Sequence, residues 1–168
     1  VMSSGLDSLL HLHGIMVMEV QGEDQLSILD RQGFPRWRYT GLRVHPDRLR
    51  RLPLQPLVFG SSIEPEMDVV RSDMGFARRY EIAMIYAIRG EDGTVVGLLV
   101  LGHKKSGLRF TLEDIDLIRS VTLQAGLQFE RLQLQQRLLR QRHEAERLRE
   151  LNRMKSYFVS GVSHDLKT

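Results

Sequence analysis

A histidine followed directly by a carboxylate, His164-Asp165, lies in the final stretch Phe158-Val-Ser-Gly-Val-Ser-His-Asp-Leu-Lys-Thr168. Phe158, Val162 and Leu166 recur every four positions, the spacing of a single stripe on a helix. His164 follows Val162 by two residues, about 200° round a helix that turns roughly 100° per residue. The pattern therefore predicts an imidazole that points away from the apolar stripe into solvent. Such a ring can act as a nucleophile through its unprotonated nitrogen. Asp165 is placed to accept a hydrogen bond from the Nδ1 proton, which leaves Nε2 free to attack a phosphorus atom.

The helix that must carry this pair begins far upstream. Thr111-Leu-Glu-Asp114 offers an N-cap hydroxyl with a carboxylate three residues on, a variant of the capping box. Ile115, Ile118, Thr122, Ala125, Phe129 and Leu132 then follow at alternating three- and four-residue steps. No proline occurs after Pro65 to stop the helix. Leu134, Leu138, Gln141, Ala145 and Leu148 continue as a coiled-coil seam. In that phase Asn152 and Lys155 would enter the seam, whereas Leu151, Phe158 and Val162 restore an apolar stripe. The phase slips near Leu148 to Leu151, which amounts to a three-residue insertion that overwinds supercoiled helices. Two readings stay open: a helix that transmits rotation or bending, and an imperfect seam that only spaces two domains.

Upstream of Thr111 the pattern changes to short strands. Leu6, Leu9 and Leu10 have helical spacing, with Gly14 as the expected stop. Ile15–Val20 and Leu26–Asp30 read as two strands joined by a polar turn. The region from Gly33 to Met74 is irregular and holds all five prolines. Within it, Pro46–Leu52 and Met67–Arg71 are each expected to form a helical turn. Ile82–Ile88 and Thr94–Leu101 flank Gly90-Glu-Asp-Gly93, a hairpin signal because Asp-Gly accepts positive φ at small steric cost.

Composition bounds the chemistry. The chain has 168 residues, 42% of them hydrophobic and 27% charged, enough for one core and a charged surface. No apolar run approaches the ~20 residues of a membrane span, and the opening residues lack the pattern of a signal peptide. A cytoplasmic location is expected. The absence of cysteine excludes disulfides, thiolate metal sites and a covalent cysteine–bilin link within these residues. From Arg131 onward nine Lys/Arg stand against four Asp/Glu, leaving fifteen against seventeen before it. Such a basic tail can serve nucleic acid or an acidic protein, but the solvated face of a long helix is the expectation.

Other candidates are weaker. His11, His13, His45, His103 and His143 lack the fixed spacing of a metal set, and no metal is expected. Arg48, Arg50 and Arg51 could line an anion pocket, but read better as a solvated turn. Met16, Met18 and Met84 fit a sheet core. Trp37, between two arginines, reads as a partly buried loop aromatic.

Ser163-His164-Asp165-Leu166-Lys167-Thr168, with Phe158 six residues before the histidine, resembles the H-box of two-component sensor histidine kinases. The Pro-Leu that usually follows would lie past Thr168. The resemblance implies that His164 is the phosphoacceptor and Asp165 the carboxylate that activates it. It also implies that Thr168, one turn on, helps position water when the partner regulator is dephosphorylated. ATP and Mg²⁺ would belong to a catalytic domain beyond these residues, which should hold no cofactor and show no kinase activity alone.

Residues 3 to 130 are similar in element order to a GAF domain. The match is best over Gly97-Leu-Leu-Val-Leu-Gly-His-Lys-Lys-Ser-Gly107 and Phe110-Thr-Leu-Glu-Asp-Ile-Asp-Leu-Ile118. The opening helix and the long capped terminal helix favour GAF over the related PAS domain. The resemblance implies an α+β fold with an antiparallel sheet, helices on one face and a small-molecule pocket on the other. The Asn-Lys-Phe-Asp-Glu signature of cyclic-nucleotide-binding members is missing. The expected organisation is a sensor domain at 1–130, a coiled-coil signalling helix at 131–153 and the start of a phosphotransfer helix at 154–168. The abrupt end inside the helical motif suggests a piece of a longer sensor kinase. Its expected partners are a second copy in a parallel dimer, a response regulator and a small-molecule ligand, with nucleic acid not among them. The competing reading is a non-catalytic GAF regulator whose basic helix binds nucleic acid or a protein.

Overall fold

The computed structural model describes residues 2–22, 25–34, 45–67, 69–72 and 75–165. The chain divides into two compact units, Val1–Phe129 and Glu130–Thr168. The first holds α1 (Met2–Leu10), β1 (Ile15–Gln21), β2 (Gln25–Gln32), α2 (Pro46–Arg50), β3 (Leu57–Phe59), β4 (Val70–Ser72), α3 (Gly75–Arg79), β5 (Ile82–Arg89) and β6 (Val95–Gly102). The last helix, α4 (Leu112–Asp165), begins in the first unit and supplies the second.

The six strands form one sheet in the order β2-β1-β6-β5-β3-β4. It is mixed, which corrects the expectation of an antiparallel sheet: β3 and β4 pair in parallel, Leu57 opposite Val70 and Phe59 opposite Ser72. The reason lies in the segment between them. It crosses over instead of reversing, and Ile63 bridges to Phe110 on the way, so β4 enters beside β3 in the same direction. Part of the helical turn expected at Met67–Arg71 is thus strand, as befits the β-branched Val69-Val70. The short β3 and α3, set among prolines and arginines, carry too little periodicity to be legible. The turn at Pro46 is present as α2, with Leu49 buried and Arg48, Arg50 and Arg51 exposed.

Period-two alternation sends side chains to two buried clusters, one on each sheet face. Ile15, Val17, Leu99 and Leu101 join Leu6 and Leu10 of α1 and Ile115 and Ile118 of α4. Met16, Met18, Leu98 and Val100 join Phe34, Leu49 of α2 and Ala77 of α3. Met16, Met18 and Met84 are sheet core, as read from the sequence. Alternation breaks at Ala83-Met84, where both side chains enter the α1/α4 cluster. A register shift against β6 at that point accounts for it.

Three local devices fix the ends. Helix α1 stops before Gly14: His11 adopts φ 47 and donates its N–H to the Asp7 carbonyl, while the Leu12 N–H reaches Asp7 Oδ1 at 3.0 Å. Gly14 instead lies beneath the Phe34 ring, which a β-carbon there would meet at 3.0 Å. In the β5–β6 hairpin Gly93 takes φ 80, and Asp92 Oδ1 accepts from the Thr94 N–H at 2.9 Å and hydroxyl at 2.6 Å.

Candidate functional site

Helix α4 starts on a reciprocal cap. The Asp114 N–H donates to Thr111 Oγ1 at 3.3 Å, and the Thr111 N–H donates to Asp114 Oδ2 at 2.7 Å. Lys104 Nζ also donates to Asp114 Oδ2 and lies 5.5 Å from the centre of the Phe110 ring. Burial alone would raise the Asp114 pKa, but the hydrogen bonds from Lys104 and Thr111 outweigh it and hold the carboxyl below its ordinary range.

The next turns are bound to the sheet. Ile115, Ile118, Thr122 and Ala125 are buried along one face; a fully buried isoleucine such as Ile118 contributes about 2 kcal/mol relative to exposure. The Thr122 hydroxyl is satisfied by the Ile118 carbonyl at 2.9 Å. Two glycines let helix and sheet approach. A β-carbon on Gly126 would lie 1.9 Å from the Arg89 carbonyl oxygen, and one on Gly97 would lie 2.8 Å from the Phe129 ring. Arg89 is the junction on the sheet side. Its guanidinium donates to the Gly93 carbonyl and to the Leu52 carbonyl, both at 2.6 Å. It thus ties the hairpin turn and the chain after α2 to the residue whose backbone meets α4.

The helical backbone continues through His164 and Asp165, the last two residues of α4. Adjacent in sequence, the two are one helical step apart. Leu166 and Thr168, with Lys167, lie outside the described residues, as does Trp37. Leu134, Leu138, Leu148, Phe158 and Val162 are all exposed, Leu148 by 61% and Phe158 by 73%. Polar residues stand between them, and Leu132, expected on the packed face, is exposed as well.

The sheet face opposite α1 and α4 carries a second buried cluster of apolar side chains. Beside it a cleft of about 390 Å³ is lined by Val20, Leu49, Arg50, Arg89, Thr94 and Val95. Arg50 therefore does face a concavity. At one end of the sheet lies a second cleft, of about 750 Å³, that includes His13 and His103. Sequence reasoning weighed these two histidines only as metal ligands. It missed the cleft because its lining comes from four separate segments. Neither Arg89 nor Gly126 was singled out, although a glycine inside a strongly periodic helix marks a close approach.

A scan of protein-family models and a search of curated proteins found no match. Solved structures do match. A GAF domain/HD domain protein from Geobacter sulfurreducens aligns with a TM-score of 0.59 at 17% identity, over 79% of this chain and 90% of that one. A domain assigned to a two-component sensor histidine kinase of Sinorhizobium meliloti aligns with a TM-score of 0.57 at 11% identity, over 80% and 90%. The GAF domain of a protein assigned as a sensor histidine kinase in Pseudomonas syringae pv. tomato aligns with a TM-score of 0.53 at 15% identity, over 83% and 77%. The chain has a GAF-like fold. Among the described residues no helix is long and apolar enough to cross a membrane.

Proposed function

We propose that these residues form the sensory and phosphoacceptor part of a two-component sensor histidine kinase. One observation carries the reading: the helix whose first turns pack in the GAF-like core extends without interruption to the His164-Asp165 pair. Its likeness to an H-box supplies the chemistry. Nε2 of His164 attacks the γ-phosphorus of ATP held by a catalytic domain in the full protein. The N–P bond forms, the bond to the bridging oxygen breaks, and ADP leaves with the electron pair. Asp165 accepts the Nδ1–H hydrogen bond and stabilises the positive charge that develops on the ring. The phosphoryl group then passes to an aspartate of a response regulator. Such transfers depend mainly on positioning, so a small movement of the helix can switch them.

In this reading two copies pair in parallel along Leu134–Leu148 and Phe158–Val162, which covers the exposed seam. A ligand of the GAF-like domain alters the packing of α4 on the sheet and so the helical phase near Leu148–Leu151. The test uses the full-length protein and radiolabelled ATP. Wild type should acquire an acid-labile, base-stable label, and His164→Gln should lose it while keeping the fold. An unchanged label on His164→Gln, or no label on wild type, rejects the kinase reading and favours the non-catalytic regulator with its basic helix.

A further inference from the structure

We propose that the pairing of two α4 helices creates, on each flank of the Gln141 layer, a site for a multivalent oxyanion held by arginines of both copies. The site presupposes the parallel pairing proposed above and adds a ligand that acts on it. Leu134, Leu138, Gln141, Ala145 and Leu148 occupy heptad positions d, a, d, a and d. Arg137 and Glu144 then stand at g, Arg142 and Arg149 at e, and Arg140 at c.

In a parallel pair a residue at g faces the e residue five positions further along the second copy, across the rim of the seam. Arg137 therefore meets Arg142 of the second copy, and the twofold repeats the like-charge pair on the other flank. Arg140, three residues after Arg137, lies on the same side of its own helix. Each flank thus gathers three guanidiniums, two from one copy and one from the other. Glu144 faces Arg149 in the same manner, an attractive pair, so the repulsion is confined to the Gln141 layer.

Little offsets that repulsion. Residues 131–143 contain four arginines and no Asp or Glu. Arg137, Arg140 and Arg142 are all exposed. Of the two acids that follow, Glu146 lies 3.9 Å from Nδ1 of His143, and Glu144 is engaged across the seam in the pairing above. The layer between the flanks is polar, so apolar burial does little to hold the helices together there. An oxyanion with two or more charges converts the repulsion to attraction, because each guanidinium fork can grip its oxygens in pairs. Chloride screens the arginines but cannot bridge them. Once filled, the two sites hold the first seam in register just upstream of the phase slip at Leu148–Leu151.

The test measures dimer dissociation of the 168-residue chain by sedimentation equilibrium, in sodium chloride and in sodium pyrophosphate of equal ionic strength. Pyrophosphate should tighten the wild-type dimer about ten-fold when two equal sites are filled at roughly twice their Kd. Arg137→Glu should tighten the dimer about ten-fold in chloride, since two like-charge pairs become opposite-charge pairs, and should lose the pyrophosphate response. Arg142→Glu inverts the same pairs and should act alike, whereas the double variant restores like charges and should dimerise weakly in both salts. Arg79→Glu makes the same charge change at an exposed position of α3 and should behave as wild type. A wild-type dimer indifferent to pyrophosphate, a response that survives Arg137→Glu and Arg142→Glu, or one that Arg79→Glu abolishes overturns the site and leaves the parallel pairing standing. A wild-type chain that is monomeric in both salts overturns the site and the pairing together.

Discussion

Gly126 of α4 lies so close to Arg89 of β5 that a β-carbon on the glycine would stand 1.9 Å from the arginine's carbonyl oxygen. The obstructing atom is backbone, held in a paired strand, and cannot swing aside as a side-chain tip could. The same arginine fastens the hairpin turn and the chain after α2 through its guanidinium. Helix, sheet and the α2 region therefore meet at one residue.

Gly126→Ala should lower the unfolding free energy by about 3 kcal/mol, because the helix must lift from the sheet to admit the methyl group. Gly161→Ala is the control, since Gly161 sits on an exposed turn and a β-carbon there would have nothing within 4 Å. That change should stabilise the helix by up to about 1 kcal/mol through backbone entropy alone. Urea denaturation of both variants would show the opposite signs, and two changes of equal size would contradict the close approach.

Asp114 gives a pH-dependent contribution with a defined sign. Its carboxyl titrates below the ordinary value of 3.8 in the folded state, so the folded protein holds the ionised form more firmly than the unfolded chain does. The stabilisation is complete above the unfolded value and disappears as pH falls through the lower, folded value. Asp114→Asn should therefore be less stable than wild type at neutral pH, and the difference should close in acid. Thermal melts across that range test this; a difference that persists unchanged below the carboxylate range would mean that Asp114 contributes through packing and not through charge.

Legibility of the fold followed the strength of local periodicity. Thr111 and Asp114 announced α4 because a cap is a short-range device, and the pair does bond reciprocally. The β5–β6 hairpin was equally plain from Asp92-Gly93. The parallel β3–β4 pair was hidden, since its direction is set by a crossover that Ile63 anchors to the distant Phe110. The His164 pattern was readable as a contiguous motif. The sheet-end cleft was not, because residues 13, 61, 78 and 103 come together only when four segments have folded.

Within the proposed phosphotransfer reading, Asp165 and Thr168 should separate by kinetics. Asp165→Asn should slow labelling of His164, because an amide orients the ring but stabilises less of its developing charge. Thr168→Ala should label almost normally and chiefly impair dephosphorylation of the regulator. Paired autophosphorylation and regulator-dephosphorylation time courses would decide, and loss of both activities in each variant would point to a folding defect.

The exposed seam supplies the last expectation. Leu138 and Leu148 are 49% and 61% exposed, a cost that pairing with the same stripe on a second copy would relieve. Lysine at both positions would bring like charges together across such a seam while leaving the core of the GAF-like unit untouched. Light scattering should then report a dimer for wild type and a monomer for Leu138→Lys/Leu148→Lys, with far-ultraviolet helicity reduced in the variant as the unpaired helix frays. A variant that remains dimeric would place the interface in the GAF-like unit, and the phase slip at Leu148–Leu151 would then lose its role as a carrier of signal.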